Sequence, residues 1–141
     1  MGKFITKAVG IGLVLMGLGL TGAPAQPVGP PNEIVCNKIN NGSSGATVGV
    51  SVAPVANQQI SICGWNATAG AAAATFQLIA GTGATCGTGT ITITPVIPLA
   101  INGNNTDHTG QAWYSIPPLF NLCVSITGTG PVAYNIYYAQ F

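Results

Sequence analysis

From Thr47 onward the chain alternates apolar and polar residues with the two-residue period of half-buried strands. In Thr47–Ala53 (TVGVSVA), Val48, Val50 and Val52 fall on one face and Gly49 and Ser51 on the other. In Gln59–Cys63, Ile60 and Ile62 share a face opposite Ser61 and Cys63. Ala74, Phe76 and Leu78 repeat the pattern, as do Ile91 and Ile93 between threonines. Ala112–Ile116 (AWYSI) is a short aromatic strand, and Leu122, Val124 and Ile126 alternate with Cys123 and Ser125. Val132–Ala139 sets Tyr134, Ile136 and Tyr138 against Ala133, Asn135 and Tyr137. Glu33–Ile39 (EIVCNKI) is a further candidate strand at the start of this region.

Turn chemistry separates these segments. Asn40–Gly45 (NNGSSG) is an Asn-Gly turn, Pro54–Asn57 breaks the second strand, and Ala67–Ala72 reads as a link. Gly81–Gly89 is a glycine-threonine loop; it lacks the lysine and following helix of a phosphate-binding loop. Pro95 and Pro98 make the residues that follow a sheet edge or an irregular crossing. Ile101–Gln111 (INGNNTDHTGQ) is polar enough to be a surface loop. No 3.6-residue period appears after the first 25 residues, and the run Ala71–Ala74 is too short to nucleate a helix. The pattern predicts about seven or eight short strands at ~8–12-residue spacing, an all-β sandwich or barrel over residues 33–141. Connections this short make the strands antiparallel.

The first residues follow a different logic. Lys3 and Lys7 precede an uncharged apolar run, Ala8–Leu20, and Ala23 and Ala25 occupy the positions of an A-x-A cleavage site. These features predict a secretory signal peptide over residues 1–25, cleaved after Ala25, with an uncleaved membrane anchor as the alternative. Residues 26–32 (QPVGPPN) form a proline-rich linker. Only 4% of the 141 residues are charged. With the leader removed, Lys38, Glu33 and Asp107 leave a formal charge of about −1. One lysine cannot displace the counterions of a phosphate backbone, so nucleic acid is excluded as a partner. Contact with a membrane is expected only through the leader.

The leader implies an oxidising, extracellular destination, and there Cys36, Cys63, Cys86 and Cys123 should form two disulfides. Three pairings are open. Strand phase puts Cys63 and Cys123 off the apolar faces of their strands, which favours Cys63–Cys123 and leaves Cys36–Cys86. The spacing lacks a CxxC motif and His108 is the single histidine, so neither a zinc site nor any other metal or cofactor is expected.

Catalytic machinery is sparse. Glu33 lies beside the linker, far in sequence from Asp107, and Asp107-His108 are adjacent in a polar loop. The chain is therefore expected not to be an enzyme. Binding is more open: Trp65, Trp113 and Tyr114, with Tyr137 and Tyr138, are candidates for an aromatic platform against sugar faces, and otherwise for core or subunit contacts. Asn41, Asn66 and Asn104 each begin an Asn-x-Ser/Thr pattern, frequent by chance in so Asn- and Thr-rich a chain.

Ile62-Cys63-Gly64, Phe76–Cys86 (FQLIAGTGATC), Cys86-Gly87-Thr88-Gly89, Pro118-Leu119-Phe120, Leu122-Cys123 and Tyr138-Ala139-Gln140-Phe141 carry a resemblance. Over Cys36–Phe141 the chain resembles small cysteine-containing β-sandwich proteins encoded by tailed bacteriophages. That resemblance implies a jelly-roll-like virion component, a capsid decoration or fibre domain, with no catalytic residues to carry over. It implies partners that are further copies of the chain or other virion proteins, with host attachment as an added role. The chain departs from the resemblance in carrying a secretory leader. The alternative is a secreted carbohydrate-binding or adhesin-like module of bacterial or prophage origin.

Overall fold

Alternation becomes strand because each segment can bury one face against a second sheet. The computed structural model describes residues 33–141; the expected signal peptide, its expected cleavage site after Ala25 and the expected 26–32 linker lie outside the described residues. Ten strands form: β1 (Lys38–Ser44), β2 (Thr47–Val52), β3 (Ile60–Ala69), β4 (Ala74–Thr82), β5 (Thr88–Thr92), β6 (Ile97–Leu99), β7 (Asn104–His108), β8 (Tyr114–Ile116), β9 (Asn121–Gly128) and β10 (Val132–Gln140). The first sheet runs β1-β10-β3-β7, with β8 extending the same edge of β3. The second runs β2-β9-β4-β5, with β6 beside β4. Every pairing is antiparallel. This interleaving, in which each half of the chain contributes to both sheets, is the jelly-roll order of a β-sandwich.

The core lies between the sheets. Ile62, Phe76, Leu78, Leu122 and Ile136 are fully buried, and Val132 and Ile126 close the end where β9 turns into β10. Burying side chains of this size contributes about 1.5–3 kcal/mol each.

Two bulges decide which side chains reach this core. Ile62 pairs with Tyr138 and Gly64 with Tyr137, so Cys63 is an extra residue on β3. The inward set therefore changes phase, from Ile60 and Ile62 to Trp65, Ala67 and Ala69. On β2, Val50 pairs with Cys123 and Val52 with Leu122. The expected common face of Val48, Val50 and Val52 is thereby broken. Val52 enters the core, while Val48 packs outside on Ile79, Cys86 and Cys123.

Three segments expected as turn, link or loop are strand. Asn40–Ser44 of NNGSSG belongs to β1, which pairs from Lys38↔Tyr138 to Ser44↔Val132. Ala67–Ala69 continue β3. Asn104–His108, within the expected polar loop, form β7, fully exposed yet registered against Thr68–Gly64. In each case backbone pairing with a long central strand outweighs side-chain propensity.

The disulfides are Cys36–Cys63 and Cys86–Cys123, with Cα separations of 6.0 and 6.2 Å. The expected preference for Cys63–Cys123 and Cys36–Cys86 is incorrect. Cys63 and Cys123 do lie off the core, but on the outer faces of different sheets. Sheets stack ~10 Å apart, and a bridge tolerates a Cα separation of about 7 Å at most. Each bridge instead fastens a neighbouring segment to the back of its own sheet. Cys86–Cys123 pins the β4–β5 loop beside Ile79. Cys36–Cys63 fastens residues 33–37 as a strap across the first sheet, also held by the Val35↔Gln111 bridge, the Ala112 N–H to Ile34 carbonyl bond (3.1 Å) and a Gln111–Glu33 side-chain bond. Both bridges fit the oxidising setting expected of an exported protein.

Candidate functional site

The five aromatic residues considered as a sugar platform do not come together as one. Trp65 is only 4% exposed, with its ring 5.2 Å from Phe76 in the core. It cannot stack on a ligand, and its indole Nε1 is buried without a hydrogen-bond partner among the described residues. The Cys63 bulge is the reason: without the extra residue, Trp65 would share the outer phase of Ser61 and Cys63. Trp113 and Tyr114 are together at the β8 edge, ring centroids 6.0 Å apart at 61°. Trp113 is 38% exposed, whereas Tyr114 packs partly against the core. Tyr138 also faces inward, with Lys38 Nζ 6.0 Å from its ring centroid.

Asp107 and His108 occupy successive positions of β7, opposite Trp65 and Gly64 respectively. Successive strand residues project to opposite faces, so the pair does not form an Asp–His dyad. Glu33 bonds Gln111 instead of approaching Asp107. Among the described residues no group of three or more His, Cys, Asp or Glu side chains converges on a metal-sized site.

The outer face of the first sheet holds an arrangement that periodicity alone does not reveal. Register aligns Ile39, Tyr137, Gly64 and His108 across β1, β10, β3 and β7. The next row on this face is Asn41, Asn135, Asn66 and Thr106, and the one after it Ser43, Ala133, Thr68 and Asn104. Tyr137 and His108 meet edge to face over Gly64, with ring centroids 4.4 Å apart. A Cβ on Gly64 would lie 2.6 Å from His108 Cα, so only glycine allows β7 and its histidine to sit this close. Asn66 Nδ2 donates to Thr106 Oγ1 at 2.6 Å. The signal that could have located this face is the spacing of four asparagines through segments that become β1, β3, β7 and β10; their pairing supplies the rest.

The second sheet offers a different surface. A shallow depression of about 600 Å³ is lined by Ala73, Thr75, Pro98, Ala100, Thr127 and Gly128, with no charged side chain. Val96 and Ile101, on either side of β6, are 57% and 59% exposed. A smaller cleft of about 280 Å³ opens between the sheets at the β1–β2 side, lined by Gly42, Gly49, Val124 and Tyr134 among others. Asn40 closes part of that side: its Nδ2 donates to the Ser51 carbonyl (2.9 Å), and Ser51 Oγ donates to Asn40 Oδ1 (2.6 Å).

No family model, curated protein or solved structure matches the chain.

Proposed function

We propose that this protein is a non-enzymatic structural component of a phage particle surface that works by self-assembly through the β6 edge of its second sheet. The observation that carries the proposal is the uncharged apolar depression around Pro98 and Ala100, flanked by the exposed Val96 and Ile101. Exposed apolar area beside an edge strand favours association, and a net charge near zero offers little repulsion against it. The occupant is a second copy of the chain, because such a patch on each copy complements itself. The phage setting rests on the resemblance over Cys36–Phe141. Export before assembly rests on the leader and agrees with the two disulfides.

Light scattering coupled to size exclusion tests the assembly. The protein should elute as an oligomer at tens of micromolar, and Ile101→Asp should shift it to monomer while the far-ultraviolet spectrum stays unchanged. A wild-type monomer at that concentration would overturn self-assembly. The setting has its own test: mass spectrometry of purified particles should find the chain in stoichiometric amount, and its absence from them would overturn the virion assignment.

A further inference from the structure

We infer that the outer face of the first sheet is a binding site for a neutral oligosaccharide, centred on Tyr137, His108, Asn66, Asn135, Asn41 and Thr106. It is independent of the assembly proposal, which uses the other sheet. The site is built from the register: three asparagines and a threonine lie in one row across four strands, beside the row that carries the Tyr137–His108 pair. Strands ~4.8 Å apart with ~7 Å between rows turn these side chains into a flat grid.

The chemistry of the grid selects the ligand class. Each amide presents a donor and an acceptor side by side, the complement of neighbouring sugar hydroxyls. Asn66 already donates to Thr106 Oγ1, which orients its amide and leaves Oδ1 to accept from a ligand hydroxyl. The edge-to-face aromatic pair supplies the apolar surface on which the C–H face of a pyranose ring rests. Those two rows hold no Asp, Glu, Lys or Arg; His108 is their one basic side chain, and the second row is made wholly of neutral amides and a hydroxyl, which suits a neutral ligand better than a sulfate, carboxylate or phosphate. An apolar partner would desolvate Asn41 and Asn135 and the free Oδ1 of Asn66 with nothing to replace the lost water.

A second observation points the same way. Asparagine is depleted in strands, yet Asn41, Asn66, Asn104 and Asn135 all stand on this one face. None of the four lines the core, so packing does not require them. Local preference set aside at clustered positions outside the core, two exposed and two half-buried, is the pattern of a functional surface.

The test is a glycan array of neutral gluco-, galacto-, manno- and N-acetylglucosamine oligosaccharides beside sulfated and sialylated ones, followed by titration of the best neutral hit. Wild type should bind neutral glycans in preference to anionic ones. Asn66→Ala and Asn135→Ala should each weaken the hit about tenfold, the loss expected for a ligand hydrogen bond. Tyr137→Leu, which keeps apolar volume, should weaken it at least as much. Trp113→Ala, at the β8 edge, should leave affinity within about twofold, the spread expected of a residue outside the contact. Thermal melts verify that each variant is folded, and Asn135→Ala serves independently if Asn66→Ala is not. No neutral glycan bound at millimolar concentration, selective binding of anionic glycans, or a hit indifferent to both asparagine variants would each overturn the inference.

Discussion

Trp65 shows how one residue's environment can invert its expected role. Counting by twos from Ile60 and Ile62 sends Trp65 outward, where a tryptophan on a β-surface reads as a sugar platform. Cys63, the extra residue in the β3–β10 register, turns it inward onto Phe76. No local signal at Ile62-Cys63-Gly64 marks the bulge, because it depends on how β10 registers against β3. Burial brings a cost: the indole N–H loses water and gains no acceptor among the described residues, a penalty of about 1–3 kcal/mol. Removing that donor therefore offsets the loss of ring volume. Trp65→Phe should change stability by no more than about 1.5 kcal/mol in urea unfolding. Trp65→Ala, which leaves a cavity against Phe76, should cost about 3–5 kcal/mol. Equal costs for the two variants would mean that the indole nitrogen is satisfied in solution.

At the level of strands, the apolar ones were legible, edge strands β2, β5 and β8 among them, and the polar edges were not. β4, β9 and β10 carry uninterrupted alternation and long apolar faces, so their existence and inward residues follow from the pattern. β1 and β7 (KINNGSS and NNTDH) are polar, turn-like sequences held as strands by β10 and β3. A pattern based on burial cannot find a strand that buries nothing. The grid on the first sheet stayed hidden for that reason: half of it, Asn41, Thr106 and His108, comes from such strands. The disulfide pairing was hidden by a related ambiguity. Phase says that a cysteine is outside the core, but a sandwich has two outsides. The two bridges therefore act locally. They close loops with separations of 27 and 37 residues, worth about 3.5–4 kcal/mol each in the chain-entropy treatment. Replacing Cys36 and Cys63 by alanine should lower unfolding free energy by about that amount. The strap over the first sheet should loosen as well, with faster hydrogen exchange in peptides covering Ser61 and Ala139, which are buried in the intact protein. Replacing Cys86 and Cys123 should cost a similar amount while leaving those peptides protected. Uniform deprotection by both pairs would contradict a local strap.

Across the whole molecule, the jelly-roll order makes the outermost pairing the most distant in sequence: β1 lies against β10, and Lys38 pairs with Tyr138, 100 residues away. Such closure is slow, because loop entropy is lost before the contacts that compensate it form. The local bridges shorten that path. A route that crosses Cys36–Cys63 and then Cys86–Cys123 reduces the connection between Lys38 and Tyr138 from 100 residues to roughly 40. The loop-closure term falls with the logarithm of length, so the gain is about 0.8 kcal/mol, or roughly fourfold in rate. The disulfide-intact protein, diluted from guanidinium and followed by the fluorescence of the core residue Trp65, should thus refold about fourfold faster than a variant with all four cysteines replaced. The comparison depends on where β1 joins. If β1–β10 closure belongs to the transition state, the fourfold difference appears in the folding rate. If β1 docks only after the barrier, the two proteins refold at the same rate and differ in unfolding alone. Equal folding rates would therefore place the jelly-roll closure late and remove the kinetic role assigned here to the bridges.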